Sequence, residues 1–520
     1  MNSSAGSAVG LVAWFRRHPV VADAIRWAIP ALLVGGILRI LFVSYMPYAL
    51  WGADSRSFFV FTHKLFLNHS FSLGDKRRYL YPLLMAPMAA LPGGVLRWLP
   101  IFQHLLGWVT LVPLAYVIRK SFVRWQLWII PITILYAGLP EVLWCEHELL
   151  ADNVFFALFL WTFAGWTAWI TQKDPTRSRR VFWFFFVAFA LFILTKPSGR
   201  FVWPGLAIGT LMTQAWRNFG WRQITAIVLL MGVSLTVGSK RQGSQLFYTS
   251  VFPLTRLDTP LHADYKAEIR DSVEHYRNNL EYFHAMQDGD LFYFLRDPGE
   301  QDARPLWKAL GKDDNLKVKI YMDLALEGIK ARPDLVFYLG LQRVVFDANL
   351  SAYGLSHFAD GGYVDRSALY YNEAVKDEKS PLRLAFGLPP HGPLPPYSEF
   401  AHHLEPAPGS WAARTVQTWV ASYGTKFDYF RYPKVPKNES KLSLVRPTFL
   451  GIWMLLAMGC AFLPRYRNTL GIWVIISVLQ VFAVYSVSLV NVHYFAVVWP
   501  VLFVTMAIPL DALLARFIRK

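Results

Sequence analysis

Apolar residues in this chain run in long stretches, parted by short clusters of basic residues. The pattern lacks both the two-residue alternation of a half-exposed strand and the single stripe of a surface helix. It predicts helices that are apolar all round and lie in lipid or a protein core. Crossing about 30 Å of hydrocarbon takes roughly 20 residues of helix, fewer where neighbours surround it. About ten segments meet that measure: 27–46, 98–118, 125–140, 149–170, 181–195, 201–214, 223–239, 447–463, 469–490 and 493–513. The fifth and sixth are short and read as a hairpin.

Between residues 240 and 446 no run is long enough to span, and most of the chain's 35 acidic residues fall there. Helical apolar spacing recurs over 265–286 and 315–331. Pro333-Asp334 followed by LVFYLGLQRVV predicts an amphipathic helix with proline in its first turn, suited to lie on a membrane surface. The stretch closes in the Pro- and Gly-rich GLPPHGPLPPYSEF. The expected organisation is a membrane core with outer loops (1–240), an extracytoplasmic domain (241–445) and a last group of spans (446–520). That makes an all-α polytopic membrane protein with a mostly helical soluble outer domain.

Composition agrees with the pattern: 54% hydrophobic, 16% aromatic and 17% charged residues, with a mean hydropathy of +0.30. A soluble single domain is excluded on those values. The net charge of +17 would suit nucleic acid if it formed one patch, but it is dispersed between apolar runs, so no nucleic-acid partner is expected. Alternating sides along the chain places Arg16, Arg17, Arg26, Arg119, Lys120, Arg124, Lys173, Arg177, Arg179, Arg180, Arg217, Arg222, Arg465, Arg467, Arg516, Arg519 and Lys520 in inner loops. The positive-inside rule then puts both termini in the cytoplasm and the long segment outside. The first outer loop, 47–79, is the basic exception. The first apolar run lacks a small-residue cleavage site and reads as a retained span, with a bacterial inner membrane as the expected location. The two cysteines, Cys145 and Cys460, lie in or beside apolar runs and support neither a disulfide framework nor a Cys-based zinc site. No internal repeat and no Gly-rich phosphate loop is present, which argues against an ATP-driven transporter.

In this topology ionisable residues from separate loops gather on the outer leaflet, where charge at membrane depth is costly and marks function. Asp54, in WGADSRSFF, is placed to act as general base toward an acceptor hydroxyl, or to cap the helix that follows. Glu146, His147 and Glu148 lie in a short loop of GLPEVLWCEHELLADN. They could share a hard divalent cation (Mg, Mn or Zn), hold an acceptor, or simply favour a helix N-terminus. Asp152 is one turn beyond Glu148 and would face the same cavity, or be buried and paired for structure. Arg39 is inside the first span, where it either snorkels outward or meets an anion. The Lys76-Arg77-Arg78 triplet, with Lys196 and Arg200 in LTKPSGRFVWP, offers forked and point cations to a phosphate, or anchors the chain to acidic lipid. Tyr81, His493 and Tyr494 complete the candidate cavity.

Taken in order, these stretches resemble the GT-C superfamily of integral-membrane glycosyltransferases, in the branch of protein O-mannosyltransferases and lipid A aminoarabinose transferases. Asp54 matches the acidic residue of the first outer loop. YLYPLLMAPMAALPGG with IFQHLLGWVTLVPLAYVIRK resembles the Tyr-Pro juxtamembrane helix and second span. Glu146-His147-Glu148 is similar to the second acidic motif, LTKPSGRFVWP to the Lys/Arg-Pro segment, and NVHYFAVVWP to the closing span. The resemblance covers residues 20–240 and, more weakly, 447–513. A single Asp54 followed by Ser55 stands where the O-mannosyltransferases have an acidic pair, and His493 stands where arginine is usual. The resemblance implies a GT-C-like core of about ten helices. It also implies a polyprenyl-phosphate sugar donor held by Arg39, Arg77, Arg78, Lys196, Arg200 and His493, and a glycan, lipid or protein acceptor. Transfer would be inverting, with Asp54 as base. A flippase or transporter of an anionic lipid-linked substrate is the competing class, and an O-antigen ligase or polymerase a third.

Overall fold

The structure is a computed structural model that describes residues 19–50, 80–122, 126–236, 251–274, 304–310, 313–334, 382–388, 446–487 and 497–517. It also describes single residues or short pieces within 55–62, 336–344, 371–376, 393–396 and 411–418, and the pair 430–431. Nearly all of this is helix. The membrane core begins with α1 (Pro19–Tyr45), α2 (Leu80–Ala89), α3 (Gly94–Val109), α4 (Leu111–Ser121), α5 (Ile129–Ala137) and α6 (Pro140–His147). It continues with α7 (Asp152–Ile170), α8 (Pro175–Thr195), α9 (Trp203–Met212) and α10 (Trp221–Thr236). In the outer segment lie α11 (Ala263–Glu274), α12 (Pro305–Leu310), α13 (Asp314–Ala331) and α14 (Leu382–Ala385). A two-residue antiparallel pair, β1 (Phe430–Arg431) with β2 (Arg446–Pro447), precedes α15 (Phe449–Cys460), α16 (Ile472–Val487), α17 (Trp499–Met506) and α18 (Ile508–Phe517).

Local chemistry sets several boundaries. Asp174 accepts from the backbone N–H groups of Thr176 and Arg177 and Pro175 follows it, so α8 starts with a capped first turn. Asp313 caps α13 in the same way. Pro140 opens α6 after a break at Gly138 and Leu139, and α5 and α6 meet at 47°. Five helices are long and apolar enough to cross a membrane among the described residues: Pro19–Tyr45, Gly94–Ser121, Asp152–Ile170, Pro175–Thr195 and Arg467–Val484. The bent α5–α6 pair makes a sixth if counted as one span, and four shorter apolar helices accompany them. The sequence pattern drew about ten comparable spans. Among the described residues several of those segments form short helices, and the run at 125–140 is broken at Gly138 and Leu139 before Pro140.

α1 shows which side is which. Ala24, Ala28, Ala31, Gly35, Arg39 and Phe42 form its inner face, whereas Ile29, Leu33, Ile37 and Ile40 point outward and are exposed. Behind that inner face, α7 and α8 pack through stacked rings: Phe155 on Phe192 at 4.4 Å and Trp169 parallel to Phe185 at 5.9 Å. Phe163 stacks on Trp473 of α16 at 4.7 Å. Gly209 lets α9 approach the core, since a Cβ there would lie 2.6 Å from the Trp166 ring and 2.7 Å from Ile472. At the outer end of α16, Phe482 meets Phe337, from the stretch after Pro333, at 5.2 Å.

Candidate functional site

Three chain segments meet at one end of the core. Leu50 sits in a parallel bridge opposite Glu148: its N–H donates to His147 O at 3.0 Å, and Leu149 N–H donates to Leu50 O at 2.8 Å. Ala49 N–H donates to Leu96 O at 2.7 Å, tying the same loop to α3. Ser55 follows Asp54 in the sequence, and its hydroxyl donates to Leu149 O at 2.8 Å. The first outer loop and the Glu-His-Glu turn are therefore joined by backbone and side-chain bonds. Gln103 of α3 braces the turn, donating from Nε2 to Glu146 O at 3.0 Å and Glu148 O at 2.9 Å, while its Oε1 accepts from Tyr81 OH at 2.9 Å. Asn153 of α7 in turn donates to Gln103 O at 2.9 Å.

Beneath this turn lies a buried polar chain. Arg39 is 4% exposed and Glu146 fully buried, with Arg39 NH2 2.5 Å from Glu146 Oε1. His104 Nδ1 is 2.7 Å from Glu146 Oε2, and its Nε2 is 3.1 Å from His147 Nδ1. His147 Nε2 then donates to Tyr48 O at 2.9 Å. A carbonyl only accepts, so both links between Glu146 and His147 close as hydrogen bonds only when the carboxyl and two imidazoles hold three protons among them. Phe42 seals the pair edge-on, 5.6 Å from the His104 ring and 5.2 Å from His147. Gly107 makes room for the carboxylate: a Cβ there would lie 1.9 Å from Glu146 Oε1.

Two sequence expectations are corrected. Arg39 neither snorkels nor meets an external anion; it turns inward, because Glu146 supplies a buried counter-charge that lipid cannot. Glu146 and His147 end helix α6 and are not in an open loop. The apolar residues before Glu146 continue the bent α5–α6 pair and carry the motif into the core. The sequence reading also missed His104, Gln103 and Gly107. Their signal is the polar pair and glycine in the otherwise apolar IFQHLLGWV, charge-capable residues at membrane depth.

Other candidates lie on the helix ends beside the turn. Asp152 opens α7, buried, and pairs with Lys196 Nζ at the end of α8. Lys196 also sits over the Phe155 ring at 5.9 Å. Glu148 accepts from Trp144 Nε1 at 3.2 Å. Arg200 is exposed, its guanidinium 5.4 Å from the Phe201 ring. Asp54, Arg77, Arg78, His493 and Tyr494 lie outside the described residues. Both Glu146 oxygens and both His147 nitrogens are engaged by protein groups, and among the described residues no group of three His, Cys, Asp or Glu is placed to hold a metal ion.

Fold and site together define a polytopic helical membrane protein with a charged cluster at one end of its core. No protein-family model and no curated protein matches the chain. Among solved structures it is similar to the Archaeoglobus fulgidus oligosaccharyltransferase in the apo form, at 11% identity and a TM-score of 0.39 over 95% of this chain. It covers 52% of that protein, about half its length. It is also similar to ArnT from Cupriavidus metallidurans. The apo form matches at 13% identity and a TM-score of 0.33 over 93% of this chain and 78% of that one. The form bound to undecaprenyl phosphate matches at the same identity and score over 94% and 78%. With TM-scores below 0.5, the functional reading rests on this chain's own residues.

Proposed function

We propose that the protein is an inverting glycosyltransferase that moves a sugar from a polyprenyl-phosphate donor to an acceptor hydroxyl at the outer face of the membrane. The observation that carries this reading is the joining of the two loops that bear the acidic motifs. The residue after Asp54 is bonded to Leu149, next to Glu148, and Asp152 and Lys196 pair at the start of α7 and the end of α8. A lipid-linked sugar phosphate suits such a rim. Its isoprenoid tail remains in lipid, its phosphate meets Lys196, Arg200 and the basic triplet, and its anomeric carbon comes to the aqueous border.

In this reading Asp54 removes the acceptor hydroxyl proton as the oxygen attacks the anomeric carbon, and the bond to the donor phosphate breaks with inversion. Cations stabilise the departing phosphate, and Glu148 orients the acceptor. The chemistry is assigned to protein groups alone. The test pairs mass spectrometry of co-purified lipid with sugar transfer by the wild type and Asp54→Asn. A polyprenyl-phosphate sugar should co-purify, and the asparagine variant should lose at least about a hundredfold in kcat, the lower range for a general base. Full transfer by a folded Asp54→Asn variant would refute the base assignment. Flux of an intact lipid-linked sugar across a reconstituted membrane, without transfer, would replace the reading with transport.

A further inference from the structure

We infer that Arg39, Glu146, His104 and His147 form a positioning relay that fixes the first outer loop against the turn carrying Glu148. Its effect on turnover rests on the glycosyl-transfer reading; its existence rests on geometry alone. None of the four needs to touch a substrate. The contacts run in one direction, from the Arg39 guanidinium through the Glu146 carboxylate and two imidazoles to the carbonyl of Tyr48.

Tyr48 is the point of leverage. It lies two residues before Leu50, which bonds on both sides to the 147–149 backbone, and seven before Ser55, which bonds to Leu149 O. An anchor at Tyr48 thus sets the register of Leu50 and Ser55 against the 147–149 backbone. That anchor is rigid because its far end is buried. Glu146 is held by Arg39 on one oxygen and His104 on the other, in a space that exists only because residue 107 lacks a side chain. A buried ion pair costs desolvation that a leucine pair would not, so its value lies in specifying geometry.

The test uses the full-length protein in lipid nanodiscs, comparing His147→Ala, His147→Asn, His147→Gln and Gly107→Ala. Glutamine can place a donor where Nε2 points, toward Tyr48 O; asparagine fills the site without reaching it. Amide hydrogen exchange is read over peptides containing Leu50 and Leu149, with α8 peptides as an internal control, and kcat and donor KM are read separately. Loss of one buried hydrogen bond predicts exchange faster by at least about tenfold in His147→Ala, His147→Asn and Gly107→Ala, with His147→Gln within about threefold of wild type. kcat should fall in the same order while donor KM stays within about threefold. Unchanged exchange in His147→Ala and His147→Asn overturns the inference, and so does a raised donor KM with kcat intact, which would make His147 a donor contact. If exchange responds as stated but the wild type transfers no sugar, the relay stands and the glycosyltransferase reading fails.

Discussion

Replacing Arg39 by methionine isolates the energetics of the buried pair. Two unit charges about 4 Å apart attract by about 4 kcal/mol at an effective dielectric of 20, offset by a desolvation cost of several kcal/mol per ion. The intact pair should therefore sit near energetic balance with an apolar pair of similar volume. Its halves should not. In Arg39→Met, Glu146 stays fully buried with His104 on one oxygen and loses its only guanidinium contact, at 2.5 Å. Stranding one member of such a pair costs about 3–5 kcal/mol. Glu146→Leu alone should cost a similar amount by stranding Arg39, which keeps bonds only to Gly35 O at 3.2 Å and Ala137 O at 3.5 Å. The double variant should recover about 2 kcal/mol or more relative to the sum of the singles, since neither charge is then left alone. Equilibrium unfolding in mixed micelles supplies the three free energies, and labelling of Cys145, which is buried beside Glu146, supplies a local probe. Additive single effects under about 1 kcal/mol each would refute the pairing, because no buried ion pair can be halved at so little cost.

Three further outcomes are expected. In the outer segment, burial acts to raise the Glu327 carboxyl, but bonds from Lys266, Thr255 and Thr259 outweigh it and hold the group below its ordinary value. A depressed carboxyl stabilises the fold above the unfolded-state pKa and loses that contribution as pH falls through the folded-state value, so thermal unfolding followed from pH 7 to below about 4 should lose a component that Glu327→Gln lacks at every pH. Gly209→Ala should destabilise by about 1–3 kcal/mol in micelle unfolding, because its Cβ would meet Trp166 and Ile472 at 2.6 and 2.7 Å. Gly459→Ala in α15, where nothing lies within 4 Å of the new Cβ, should be neutral or stabilising by up to about 1 kcal/mol; equal effects at the two sites would refute the packing account.

What could be read from residue order, and what could not, divides along physical lines. Apolar runs found the long spans because lipid exposure demands unbroken hydrophobicity: 149–170 became Asp152–Ile170, and 27–46 overlaps Pro19–Tyr45 over all but its last residue. Helix α13, expected over 315–331, begins at Asp314 because Asp313 supplies the cap. The shorter segments were legible too, with α9 inside the expected 201–214, but their ends depend on neighbours. α9 needs only ten residues once Gly205 and Gly209 let it pack closely beside α16. The outer-face motifs were legible as polar residues in the wrong solvent. Their partners were not, since nothing in the order of residues says that Arg39 faces Glu146 across 107 positions or that His104 stands between Glu146 and His147.

That difference bears on how Glu-His-Glu should be understood. Three polar residues in a row invite a shared role, yet helix geometry gives them separate ones. Glu146 and His147, in the last turn of α6, point into the core, where Arg39 and His104 meet them; Glu148 caps the helix in extended backbone and turns toward Trp144 and the rim. Successive residues at a helix end diverge by about 100° each, so one motif can serve the interior and the mouth at once. The interior pair, braced through Gln103 and bonded through to Tyr48, anchors both loops to the rigid end of α3. Glu148, 5% exposed, meets Trp144 instead, and the Asp152–Lys196 pair lies on the neighbouring helix ends. Substitutions at 146 and 147 should therefore change loop order before chemistry, and substitutions at 148 chemistry before loop order.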